Sequence, residues 1–180
     1  MTKYSFLLGF LFFNLISVAA QNNRTEGKII KGYGATFTID NPEIITDTTA
    51  TLKVIFDVSK TATKNSDINS NLVTAARFLN MHAESGMDLK QLKVAITIHG
   101  AAWKDVINDD LYLEKYGTKN PNTELLKQLN EAGVNIIICG QTAAFREIDR
   151  STVNSNVKFA LSAMTALLQY QNNGYHFIKF

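Results

Sequence analysis

Cys139, the only cysteine in the 180-residue chain, ends the apolar run Val134-Asn135-Ile136-Ile137-Ile138 and is followed by Gly140-Gln141. A thiol at the end of a strand, just before a turn into a helix, lies where backbone N–H groups and the helix dipole favour the thiolate. The thiolate is the nucleophilic form. Arg146 adds positive charge nearby, partly offset by Glu147 and Asp149. A second apolar run ends at His99-Gly100. There the imidazole could polarise a ligand or pair with the thiol, and the glycine permits a tight turn or close ligand approach. The alternatives stay open: an inert buried thiol at Cys139, and at His99 a ring hydrogen-bonded to loop backbone. A third position, Asp57–Asn65, follows the first apolar run. Its loop Ser59-Lys60-Thr61-Ala62-Thr63-Lys64-Asn65-Ser66 has hydroxyls and two lysines but no glycine, so it reads as solvated rather than as a phosphate cradle. His82 and His176 lack metal-ligand spacing and read as structural. Asp109-Asp110 with Glu114 reads as a solvated helix face.

The elements that must position these groups alternate. Leu52-Lys53-Val54-Ile55-Phe56-Asp57-Val58, Leu92–Ile98 and Val134–Cys139 read as strands, the last nearly continuous in apolar residues, as suits a strand buried on both faces of a parallel sheet. Ile68, Leu72, Ala75, Ala76, Leu79 and Ala83 recur at helical spacing, with Gly86 as the stop. A helical pattern runs through Trp103, Val106, Ile107, Leu111 and Leu113. Asn120-Pro121 predicts the next helix start, with Asn120 at the N-cap and Gly133 after its end. Val157–Leu161 reads as a short strand, Ala163–Gln171 as a helix and Tyr175–Lys179 as a terminal strand. The alternation predicts an α/β fold, a three-layer α/β/α sandwich on a mainly parallel sheet of about five strands. Ligands collect at the carboxyl ends of such strands, where Asp57, His99 and Cys139 all fall.

The chain is 46% hydrophobic and 19% charged, with a formal charge of +2. That composition argues against disorder and against a nucleic-acid surface. A single cysteine excludes an intrachain disulfide and a cysteine-cluster metal site, and no cofactor is expected. Lys3, the apolar run Tyr4–Val18 and the small residues Val18-Ala19-Ala20 describe a secretory signal, with cleavage expected after Ala20. The expected organisation is a signal over 1–20, an N-terminal arm over 21–50 with a short strand around Ala35–Ile39, and one domain over 51–180. The processed protein is expected to be periplasmic or secreted and free of membrane spans.

Several segments together resemble the DsrE/DsrF-like family, in particular its exported bacterial members. They are Lys53-Val54-Ile55-Phe56-Asp57, Ile98-His99-Gly100-Ala101-Ala102, Tyr116 with Asn120-Pro121, Ala132-Gly133-Val134, Ile138-Cys139-Gly140-Gln141-Thr142-Ala143-Ala144, and Leu161-Ser162-Ala163-Met164-Thr165-Ala166 with Gly174-Tyr175. The resemblance implies a DsrE-type fold and a homo-oligomer, a trimer or a hexamer. It also implies sulfur relay, with Cys139 as nucleophile or persulfide carrier and a thiol or persulfide protein as donor or acceptor. His99, Gly100, Asn120, Gly140, Gln141 and Arg146 are the candidate binding residues around it. The alternative is a non-catalytic periplasmic module that binds a small ligand or serves an oligomeric structure.

Overall fold

The computed structural model describes residues 24–179, so the expected leader lies outside the described residues. The chain enters through a polar arm whose short strands β1 (Arg24–Thr25) and β2 (Thr36–Phe37) pair antiparallel. The second of these falls within the expected stretch Ala35–Ile39. The arm is tied to α1 (Ser70–Glu84) by the Lys28–Glu84 ion pair at 3.0 Å and by Asn80. Asn80 Oδ1 accepts the Ile29 and Ile30 N–H groups at 3.0 and 2.9 Å, and Nδ2 donates to the Ile30, Tyr33 and Gly34 carbonyls at 3.1, 2.9 and 3.2 Å. Ile30 is thereby fully buried against the main core.

Five parallel strands form the sheet: β3 (Leu52–Val58), β4 (Leu92–Ile98), β5 (Asn135–Cys139), β6 (Val157–Ala160) and β7 (His176–Ile178). Their order is β6-β5-β4-β3-β7. Side chains alternate between faces along each strand. Val54, Phe56, Val58, Ile96, Ile98, Ile136 and Ile138 therefore share one face and its core. Asp57, Thr97, His99 and Cys139 lie on the other. The steps β3 to β4 to β5 to β6 all run one way, so right-handed crossovers stack their helices on the first face. The return from β6 to β7 carries α5 (Ala163–Asn172) across the second. The result is the expected three-layer α/β/α sandwich.

Two helix boundaries differ from expectation. The pattern from Trp103 to Leu113 is divided into a 3-10 stretch, Gly100–Val106, and α2 (Asp109–Tyr116). Ile107 between them is extended and bridges Val153. Asn108 then caps α2 by accepting the Leu111 N–H at 2.9 Å, with Asp109 and Asp110 in the first turn complementing the dipole. Capping chemistry outweighs apolar periodicity here.

The following helix, α3 (Thr123–Glu131), starts after Asn122 rather than Asn120. The Asn120 amide turns inward to the carbonyls of Asp105 and Ile107 at 3.0 and 2.8 Å, and its Oδ1 accepts the Asn122 N–H at 2.9 Å. Residues 120–122 are thus held in a turn ahead of the helix. Beside them, buried Asp105 accepts from Thr61 Oγ1 and Asn69 Nδ2, both at 2.7 Å, and from Asn122 Nδ2 at 3.4 Å. This polar knot fixes the 59–69 loop and the starts of α1 and α3 at the carboxyl edge of the sheet. The loop is tied inward, since Lys104 Nζ also donates to Asn65 Oδ1 at 2.6 Å.

Candidate functional site

β5 and β6 are neighbours, yet the chain leaves them toward opposite faces. It leaves β5 through α4 (Gly140–Phe145), whose Ala143 joins the first-face core, and β6 through α5 on the second. In open α/β sheets such a reversal, at the carboxyl ends of the strands, is where ligands bind. Cys139 is the last residue of β5 and lies at that point, with 5% of its surface exposed. Burial pushes its thiol pKa up. The Thr142 hydroxyl and the backbone N–H groups of Thr142, Ala163 and Gln141 favour the charged sulfur and outweigh that effect, so the pKa lies below the usual cysteine value, although Cys139, as N-cap of α4, makes no side-chain cap hydrogen bond. The donors come from both diverging helices. Ser162 sets the Ala163 end, since its hydroxyl caps α5 by accepting the Thr165 N–H at 3.0 Å.

Gly140 is what lets β5 turn so close to β6. A Cβ there would lie 2.6 Å from the Ala160 carbonyl oxygen and 3.2 Å from that of Leu161, closer than packing allows. Gln141 adds a tie from α4 to the end of β6, donating from Nε2 to the Leu161 carbonyl at 3.4 Å.

His99 directly follows Ile98, and Cys139 directly follows Ile138, its paired neighbour on β5. Each thus follows the last paired position of the β4–β5 ladder and takes the second face by alternation. Asp57 completes the row. Its side chain is only 5% exposed; Oδ1 accepts His99 Nε2 at 2.7 Å and Oδ2 accepts Lys179 Nζ at 2.9 Å. A carboxylate only accepts, so it holds the hydrogen on Nε2 and leaves the neutral ring's lone pair on Nδ1. Thr97, in register with Asp57 on the same face, is fully buried, and its hydroxyl has no hydrogen-bond partner among the described residues. Gly100 then turns the chain with a φ of +56°, its backbone packed against Ser59.

The other expected residues serve different ends. Asn120 is buried with its amide engaged inside the chain as described above. Arg146 does not face the thiol: its guanidinium lies 5.3 Å from the Phe145 ring and 6.0 Å from that of Trp103. Its charge is felt at Tyr116 and does not contribute to the environment of Cys139. His82 Nδ1 bonds the Phe78 carbonyl at 2.8 Å, and His176 is exposed on β7. The sequence places Asp57 at a ligand-collecting strand end but does not pair it with His99, and it does not single out Lys179, Thr142 or Ala163. The Ser162 N-cap signal was the one local cue to the α5 donor. Among the described residues no cluster of three His, Cys, Asp or Glu could hold a metal ion, and no helix is long and apolar enough to cross a membrane.

Fold and site together define an α/β/α sandwich protein with one thiolate-favouring cysteine where the strand connections diverge. The chain belongs to the DsrE/DsrF-like family, whose family model matches residues 53–180. Two solved structures share the fold. A protein of unknown function from Methanobacterium thermoautotrophicum, MTH1491, superposes with a TM-score of 0.55 at 15% identity, over 72% of this chain and 99% of that one. The ychN protein from E. coli gives 0.52 at 16% identity, with the same coverage of 72% and 99%. No curated protein matches the chain.

Proposed function

We propose that this protein handles sulfur, with the Cys139 thiolate taking a sulfur atom from a donor persulfide and holding it as a persulfide of its own. The observation that supports the reading is the set of O–H and N–H donors around Sγ, contributed by Thr142, Gln141 and Ala163. These donors favour the charged, nucleophilic sulfur. Family resemblance adds support, because the active cysteine of the sulfur-relay members corresponds to Cys139. In this proposal the protein is exported and works as a homo-oligomer, with a thiol or persulfide protein as its exchange partner. Exposed Phe145, Leu161 and Met164, on the connections that leave β5 and β6, favour an assembly or partner that covers them.

The test is incubation of the native protein with an alkyl persulfide donor, followed by peptide mass spectrometry. We expect Cys139 to gain the mass of one sulfur atom and Cys139→Ser to gain none. The low exposure of Cys139 favours a second reading, a non-catalytic binding or structural module. On that reading the native thiol stays unreactive near pH 8, and Cys139→Ser leaves assembly and ligand binding unchanged.

A further inference from the structure

We infer that His99, held by Asp57, donates the proton to the sulfur that departs when Cys139 takes up sulfur. The inference rests on the sulfur-handling reading above. It starts from a fully formed unit on the page: a nearly buried carboxylate bonded at 2.7 Å to an imidazole one strand away from the only thiol, both projecting from the same face of the sheet.

The Cys139 thiolate attacks the outer sulfur of a donor R–S–S–H. A bond forms between Sγ and that sulfur, and the donor S–S bond breaks, its electron pair going to the inner sulfur. Protonated His99 passes the Nδ1 proton to this R–S⁻, giving R–SH, neutral imidazole and Cys139–S–S–H. The outer sulfur keeps its own hydrogen, and no external oxidant or reductant is needed. Alkyl thiolates are poor leaving groups, because their conjugate acids are weak, so a positioned acid matters most for them.

Asp57 suits this task twice over. It fixes the hydrogen on Nε2 so that Nδ1 faces away from the carboxylate, and its charge stabilises the imidazolium. Lys179 Nζ, at 2.9 Å from the other carboxylate oxygen, holds Asp57 in place. The titratable groups around His99 are thus Asp57 from β3, which its ring bonds, and Lys179 beyond β7, with Cys139 at the tip of the neighbouring β5. α5 brings no Asp, Glu, Lys, Arg or His to this face. Of the 3-10 stretch after His99, Lys104 is bonded to Asn65 and Asp105 to its own polar knot.

The experiment varies the leaving group on the full chain. Wild type, His99→Gln, His99→Asn and Asp57→Asn are reacted with an alkyl persulfide, an aromatic disulfide and iodoacetamide, with fold checked by circular dichroism. The aromatic thiolate and iodide need no proton. We expect both His99 variants to slow the alkyl persulfide reaction by about 100-fold while changing the other two rates less than about twofold. Asp57→Asn should show the same selectivity with a smaller loss. Equal slowing of all three reagents, or no slowing in either His99 variant, overturns the inference while leaving Cys139 as the nucleophile. A wild-type Cys139 inert to every reagent overturns both readings.

Discussion

Thr142→Val tests whether hydrogen bonding controls the Cys139 thiol. The substitution keeps side-chain size and removes one hydroxyl donor to the sulfur, leaving the N–H donors of Thr142, Gln141 and Ala163 in place. A hydrogen bond to a charged acceptor in a buried site contributes about 1.5–3 kcal/mol. Losing it removes that much preference for the thiolate. At pH values where the thiol form dominates, the thiolate fraction then falls roughly 10- to 100-fold. Iodoacetamide alkylation against pH reads this directly: the rate at neutral pH drops by that factor, and the plateau at high pH stays close to wild type.

Stability gives an independent check with a definite sign. A thiol whose folded pKa is depressed stabilises the fold above its unfolded pKa, and that contribution is lost as pH falls through the folded one. Thr142→Val should therefore cost stability in alkaline urea titrations and almost none at pH values below both. A neutral-pH alkylation rate within twofold of wild type would refute the argument that the hydroxyl matters.

Gly140→Ala should cost about 1–3 kcal/mol and slow Cys139 alkylation, because the new methyl meets the Ala160 carbonyl at 2.6 Å and forces β5 from β6; wild-type stability and reactivity in the variant would contradict that packing. Asn80→Ala should free the arm, lowering stability by about 2–4 kcal/mol and speeding proteolysis near Ile30. Unchanged amide protection at Ile29 and Ile30 counts against it. Burial raises the Asp105 pKa, opposed by hydrogen bonds from Thr61, Asn69 and Asn122 and by the Lys104 charge. Its contribution to stability is then present below the unfolded pKa and lost as pH rises through the folded one. Asp105→Asn should gain on wild type in urea midpoint as pH rises from about 4, and a difference independent of pH would speak against a raised pKa.

The sheet was legible because its strands are apolar on both faces, which leaves near-continuous runs such as Ile136-Ile137-Ile138 that few other structures accommodate. Helix interiors were legible for a similar reason, since α1 shows its buried stripe at helical spacing. Helix starts were less so. Asn108 displaced one expected boundary by capping α2, while α3 starts after Asn122 with no side-chain cap, because the Asn122 oxygen accepts the distant Asn69 N–H at 2.9 Å instead. Asn120 shows this most clearly: its sequence context suits an N-cap, but the carbonyls of Asp105 and Ile107 claim its amide.

By itself the sequence determined the α/β alternation, the single thiol and its place at a strand tip just before a helix, all local properties of pattern and spacing. Only the tertiary structure decided what surrounds that thiol. Ala163 reaches it because right-handed crossovers send α4 and α5 to opposite faces, and Asp57 meets His99 across 42 residues because β3 and β4 pair in register. Strand order and register arise from the burial of whole faces, and no single segment contains them.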